Sequence, residues 1–168
     1  MKRRQYIDSF PVNQIYNSRS AIRVDMARNT TTGRVLEEMI LPALAKGGYD
    51  FTEQAFVGEQ VNGRKHKIDV LVESDILVSL KWQQSSGTAE QKVAFEIINL
   101  VHACTKYNFS KAYLVLGGID SKSGDAQGGW TLRKWFLEGG MSEFVNYKQY
   151  VEILLPEEFV AKANRSHL

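Results

Sequence analysis

Apolar residues recur at helical spacing from Thr32 onward: Val35, Leu36, Met39, Ile40, Ala43 and Leu44 define one face, the stripe of an amphipathic helix. Residues 30–32 offer caps and Gly47-Gly48 a stop. Pro42 lacks a backbone donor, which predicts a kink or an end near Leu41. Ahead of this helix, residues 5–30 mix Tyr, Ile and Val with Asn, Ser and Arg at no clean period, so they read as an irregular arm with one short helix at most.

Past Gly48 the pattern shortens to that of strands. Residues 51–57 read as a strand, 58–63 as a turn, and 67–72 and 76–82 as two apolar strands, joined by only Glu73-Ser74-Asp75, which is hairpin spacing. Antiparallel pairing with facing residue numbers summing to about 150 then sets Asp69 opposite Lys81, since cross-strand neighbours lie about 5 Å apart. Ser79 and Gln83 share the face of Lys81. A break at Ser85-Ser86-Gly87 precedes an expected capping box, residues 88–91, and a long helix with Val93, Ile97, Leu100, Val101 and Cys104 on one face. Residues 111–116 return as a strand, completing a β-α-β unit. A polar loop follows at 117–129, then a short helix at 130–137, a last strand at 150–155 and a proline-started helix at 156–163.

The chain has 168 residues, 43% apolar and 24% charged, enough for one sizeable core without a disulfide or metal staple. Its single cysteine and three histidines argue against a disulfide framework or a zinc cluster. No apolar run approaches the ~20 residues of a membrane span, and the N-terminal stretch is too polar for a signal peptide. A soluble, cytoplasmic protein in a reducing compartment is the expectation. Trp82, Trp130 and Trp135 read as packing residues. His102 and Cys104, two apart on a helix, do not face each other and make no metal site. Phosphate-loop and dinucleotide-binding glycine motifs are absent.

Charge is unevenly spread. The net is +2, but residues 1–34 hold seven basic against two acidic side chains, a local +5, leaving −3 for the rest. Such asymmetry suits an arm laid on a polyanion, where each Lys or Arg that neutralises a phosphate releases counterions. A second basic run, Arg64-Lys65-His66-Lys67, follows an Asn62-Gly63 turn.

The chemistry-bearing stretch is Ile68-Asp69, the turn, then Ser79-Leu80-Lys81. Isolated charges on apolar strands are costly unless paired or metal-bound. A helix, then a hairpin bearing an Asp on its first strand and a Lys on its second, then a helix and a strand, resembles the PD-(D/E)XK nuclease superfamily. That superfamily includes many restriction endonucleases, some homing endonucleases and junction resolvases. Ile68-Asp69 stands where Pro-Asp is usual, and Ser79-Leu80-Lys81 where (D/E)-X-K is usual. The missing proline touches no metal, but Ser79 removes one anionic ligand, which a carboxylate elsewhere, such as Glu37 or Glu96, could replace.

The resemblance implies an α/β fold (α+β mixed sheet) with an α-β-β-β-α-β core at residues 30–117, a basic arm at 1–30 and a C-terminal elaboration at 118–168, all one domain. It implies a Mg²⁺-dependent endonuclease, with Mn²⁺ as a substitute, acting on double-stranded DNA in the restriction or homing manner. Asp69 would be the central metal ligand and the Leu80 carbonyl a second. Lys81 would orient the attacking water or stabilise developing charge, and Ser79 would hold a water. Glu37 is preferred over Glu38 as an additional ligand because it lies nearer the apolar stripe. Gln83 would hold substrate or water. Gln91 and Phe95 echo a Gln-x-x-x-Tyr element of some members. Arg28, Arg34, Arg64, Lys65, Lys67 and Lys122 are the candidate DNA contacts. Cutting both strands with one site per chain favours a homodimer or higher homo-oligomer. Two other readings stay open: a noncatalytic nucleic-acid-binding module, and a structure-selective nuclease for junctions or single strands.

Overall fold

The apolar stripe at residues 35–44 forms helix α1 (Thr31–Lys46), which buries Leu36, Ile40, Ala43 and Leu44 against a sheet. The computed structural model describes residues 31–84, 88–121 and 128–168. Within them the strands are β1 (Phe51–Glu59), β2 (Lys65–Val72), β3 (Ile76–Gln83), β4 (Lys111–Gly118) and β5 (Val151–Leu154). They form one mixed sheet in sequential order, antiparallel from β1 to β3 and parallel from β3 to β5. Helix α2 (Ala89–Tyr107) makes the parallel crossover between β3 and β4, the expected β-α-β unit. A short helix α3 (Arg133–Leu137) and a terminal helix α4 (Pro156–Asn164) complete the chain. The order of elements through β4 is the α-β-β-β-α-β expected from the sequence.

Two apolar layers sandwich the sheet. On one side α1 and α4 pack through Leu36, Ile40, Leu44 and Phe159 on Val70, Val72, Val78, Tyr113 and Val115. On the other, Val93, Ile97, Leu100 and Cys104 of α2 cover Ile68, Leu71, Leu77, Leu114 and Leu116, with Trp130 and Phe136 closing one end. Trp130 donates its indole N–H to the Gly117 carbonyl at 2.7 Å; Trp82 is partly buried in the opposite layer, and Trp135 is 36% exposed. Among the described residues no helix is long and apolar enough to cross a membrane.

Three local expectations change. Helix α1 runs through Pro42 to Lys46 instead of ending near Leu41. Pro42 and Glu38 are both exposed, so the carbonyl that the proline leaves unpaired four residues back can be hydrated. Thr88 makes no side-chain capping bond at the start of α2. Glu90 reaches instead to the far side of the polar loop, where its carboxylate accepts the backbone N–H groups of Thr131 and Leu132. The hairpin register is also two residues tighter than expected. Glu73 and Ser74, both at positive φ, turn the chain so that Val72 pairs with Ile76, and facing numbers sum to 148.

The face alternation slips at one shared level of β1 and β2, apart from a register shift in β1 between Phe56 and Glu59. Phe51 and Val70 face the α1 layer, whereas Ala55, Val57 and Ile68 face the α2 layer. The slip falls at Gln54, with φ of 53°, and Asp69, the one unpaired level between Glu53↔Val70 and Ala55↔Ile68. An irregularity of this kind re-aims a side chain out of the regular pleat.

Away from this slip, Glu152 of β5 sits between Lys111 at 2.9 Å and Lys162 of α4 at 3.2 Å. Burial pushes its carboxyl up, but the hydrogen bonds and charges of the two lysines outweigh this and leave it below the ordinary carboxylate range. A depressed folded-state pKa contributes stability above the unfolded value and loses it as pH falls through the folded one. Because solvent reaches the pair, Glu152→Gln is expected to cost only about 0.5–1 kcal/mol at about pH 7. In urea melts the difference between the two proteins should shrink as pH falls below the ordinary carboxylate range.

Candidate active site

Pairing between β2 and β3 stops at Val70↔Val78, so the next residues splay and their polar groups must find other partners. Asp69 fills that gap. Its Oδ2 accepts the Leu80 backbone N–H at 2.7 Å and lies 3.5 Å from the Ser79 hydroxyl. The carboxylate thus takes over a donor that a neighbouring strand would otherwise have satisfied, which fixes it at the mouth of the hairpin.

Register alone sets Asp69 level with Ser79 instead of Lys81, but the long lysine stem reaches back. Lys81 Nζ donates to Ser79 Oγ at 2.8 Å and to the Leu80 carbonyl at 3.5 Å, and lies 3.9 Å from Asp69 Oδ2. It is also 3.9 Å from Oε1 of Glu96 on α2. Ser79 and Lys81 share the face of Leu77, the face that α2 covers. Glu96 lies between Val93 and Ile97, both buried in that layer, so the helix aims a carboxylate at the Ser-x-Lys strand. The Asp69, Lys81 and Glu96 side chains are 30%, 21% and 13% exposed, open enough to meet a substrate and covered enough to strengthen their electrostatics.

Burial raises the Glu96 carboxyl, but the nearby His66 imidazole, the Lys81 ammonium and the Ser79 hydroxyl outweigh it and leave it below the usual range. Glu37 of α1 is shifted the other way. Burial is the main cause, and the charges of Glu53 and Asp69 add to it against the opposing pull of Arg34. A divalent cation would relieve the repulsion that Glu53 and Asp69 exert on Glu37. Asp69, Glu96 and the Leu80 carbonyl offer the hard oxygens that Mg²⁺ prefers. No ready-made cage of three or more His, Cys, Asp or Glu side chains exists among the described residues.

A cleft of about 410 Å³ opens beside Lys81, lined by Thr88, Gln91, Lys92, Phe95 and Glu96. Gln83 is engaged elsewhere: it is buried, and its amide donates to the Gly129 carbonyl at 2.8 Å, tying the polar loop to the end of β3. Arg133 anchors the same loop, pairing with Asp120 at 2.8 Å and donating to the Gly118 carbonyl at 2.9 Å. Arg34, Arg64, Lys65 and Lys67 are exposed, the last three at the β1–β2 turn, with Lys65 over the Phe56 ring at 5.7 Å. Arg28 and Lys122 lie outside the described residues.

The structure therefore brings together Asp69, Ser79, Leu80, Lys81 and Glu96, and couples Glu37 to Asp69 through its charge. Glu53 and His66 belong to no motif in the sequence. His66 stands in a basic run, yet it alternates with the exposed Lys65 and Lys67 and so belongs to the inward face.

A family model described as a PD-(D/E)XK nuclease superfamily domain matches residues 28–167. No curated protein and no solved structure matches. The five-stranded mixed sheet flanked by helices agrees with a restriction-endonuclease-like fold.

Proposed function

The chain belongs to the PD-(D/E)XK nuclease superfamily, and from that premise we propose that it is a Mg²⁺-dependent endonuclease that cuts double-stranded DNA at specific sites. The observation that carries the reading is the Lys81 ammonium held 3.9 Å from both Asp69 and Glu96 and 2.8 Å from Ser79. A simple cross-strand ion pair needs one carboxylate; here two converge on one ammonium beside an open cleft. Glu96 supplies from the helix the negative charge that Ser79 does not supply from the strand.

In this reading Asp69, Glu96 and the Leu80 carbonyl hold the cation, with Glu37 as a further oxygen donor from α1. Bound there, a divalent ion neutralises charge on the phosphoryl oxygens and the leaving oxygen. Lys81 donates hydrogen bonds to the attacking water and to the oxygens on which charge accumulates. Ser79 fixes the Lys81 stem and so its aim. Arg64, Lys65 and Lys67, with the basic arm that includes Arg28, hold the duplex through its phosphates. Arg34 and Lys122 add further phosphate contacts. A homodimer supplies the second site for the second strand.

Incubation of the protein with long plasmid and phage DNA, with Mg²⁺, Mn²⁺ or EDTA, tests this. Discrete fragments that require metal are expected. Preference for branched or single-stranded DNA in competition would replace the duplex by a structured substrate.

A further inference from the structure

His66 is 0% exposed, yet it stands in a run of basic residues at the end of an exposed hairpin. Among the described residues neither ring nitrogen has a hydrogen-bond partner. Burying an imidazole without partners costs free energy that leucine at the same place would avoid. Glu96 Oε1 lies 3.8 Å from its Nε2. A small rotation of either side chain shortens that gap to an N–H···O bond.

Glu96 needs such a partner. It projects from the side of α2, and the Lys81 ammonium that faces it at 3.9 Å also serves Ser79 and the Leu80 carbonyl. When Lys81 turns toward a phosphate, His66 stays beside the same Oε1. We propose that His66 is a positioning residue: its Nε2–H holds Glu96 in the rotamer that presents the carboxylate to the cation and to Lys81. This rests on the nuclease reading above. Ligating carboxylates are commonly aimed by such partners, whose removal weakens metal binding about 10- to 100-fold.

The test compares His66→Leu, which fills the space without a donor, with His66→Gln, whose amide nitrogen falls near the position of Nε2, and His66→Asn, whose amide is too short. Circular dichroism melts establish folding, calorimetric titration with Mn²⁺ in the absence of DNA gives metal affinity, and steady-state cleavage separates kcat from KM. His66→Leu is expected to bind Mn²⁺ about 10-fold more weakly and to lose kcat at unchanged KM, with His66→Gln restoring both to within about threefold. If His66→Leu does not fold, the contrast of His66→Gln with His66→Asn carries the same information. Unchanged Mn²⁺ affinity in folded His66→Leu, or equal damage in His66→Gln and His66→Asn, would assign His66 to space filling and overturn the proposal. A parent protein that neither binds Mn²⁺ nor cuts DNA would overturn the nuclease reading first, and this proposal with it.

Discussion

Lys81→Ala is expected to slow single-turnover cleavage by about 10²- to 10³-fold, the usual cost of removing one preorganised donor from developing charge. Affinity for DNA should stay within a few fold, because the proposed duplex contacts are the exposed cations of the β1–β2 turn and the basic arm. Lys81 is suited to this division of labour. Its Nζ lies within 4 Å of two carboxylates and a hydroxyl, a geometry that spends a cation on a site instead of on the surface. Single-turnover assays beside gel-shift titrations measure the two effects separately. Equal losses of binding and cleavage would reassign Lys81 to holding DNA.

The second large effect is expected at Glu96. Glu96→Gln keeps the shape of the side chain and removes only its charge. The hold of His66, Lys81 and Ser79 keeps this carboxyl ionised under neutral conditions, so the substitution deletes a real anion. Cleavage should fall by about 10²-fold and the Mg²⁺ concentration for half-maximal rate should rise. Glu38→Gln, on the exposed side of α1, should change the rate less than about twofold. A Glu96→Gln protein as active as its parent would mean that Asp69 and Glu37 suffice and that Glu96 serves only the Lys81 ion pair.

Much of this architecture was legible in the chain. The helical stripe from Val35 to Leu44, the two apolar runs around Glu73-Ser74-Asp75, and the β-α-β period that follows all appear where hydrophobic spacing put them. Asp69 and Lys81 could be read as partners because a three-residue connection leaves little freedom in register. The register was still off by two, since Glu73 and Ser74 both adopt positive φ and close the turn at once on Val72 and Ile76. Lysine length rescued the pairing that the register would have broken.

What stayed hidden depends on packing across the sheet. Glu96 could be named as one carboxylate able to replace the charge missing at Ser79. Its aim at Ser79 and Lys81 followed only once α2 was laid over β3. A charge between Val93 and Ile97 on the buried stripe was the available signal, because such a position is costly without a partner. Gln83 shows the opposite limit. Sharing a strand face with Lys81 suggested a place at the substrate, whereas its amide is bonded to the Gly129 carbonyl at the far end of β3.

Whether this fold cuts DNA is decided by cleavage of supercoiled plasmid by the parent protein with Mg²⁺ and with EDTA, run beside Lys81→Ala. Linear or fragmented DNA is expected with Mg²⁺ alone, none with EDTA, and almost none with Lys81→Ala at the same protein concentration. Plasmid left intact by the parent at every Mg²⁺ and Mn²⁺ concentration, yet shifted equally by both proteins on a gel, would contradict it and make the chain a noncatalytic DNA-binding module.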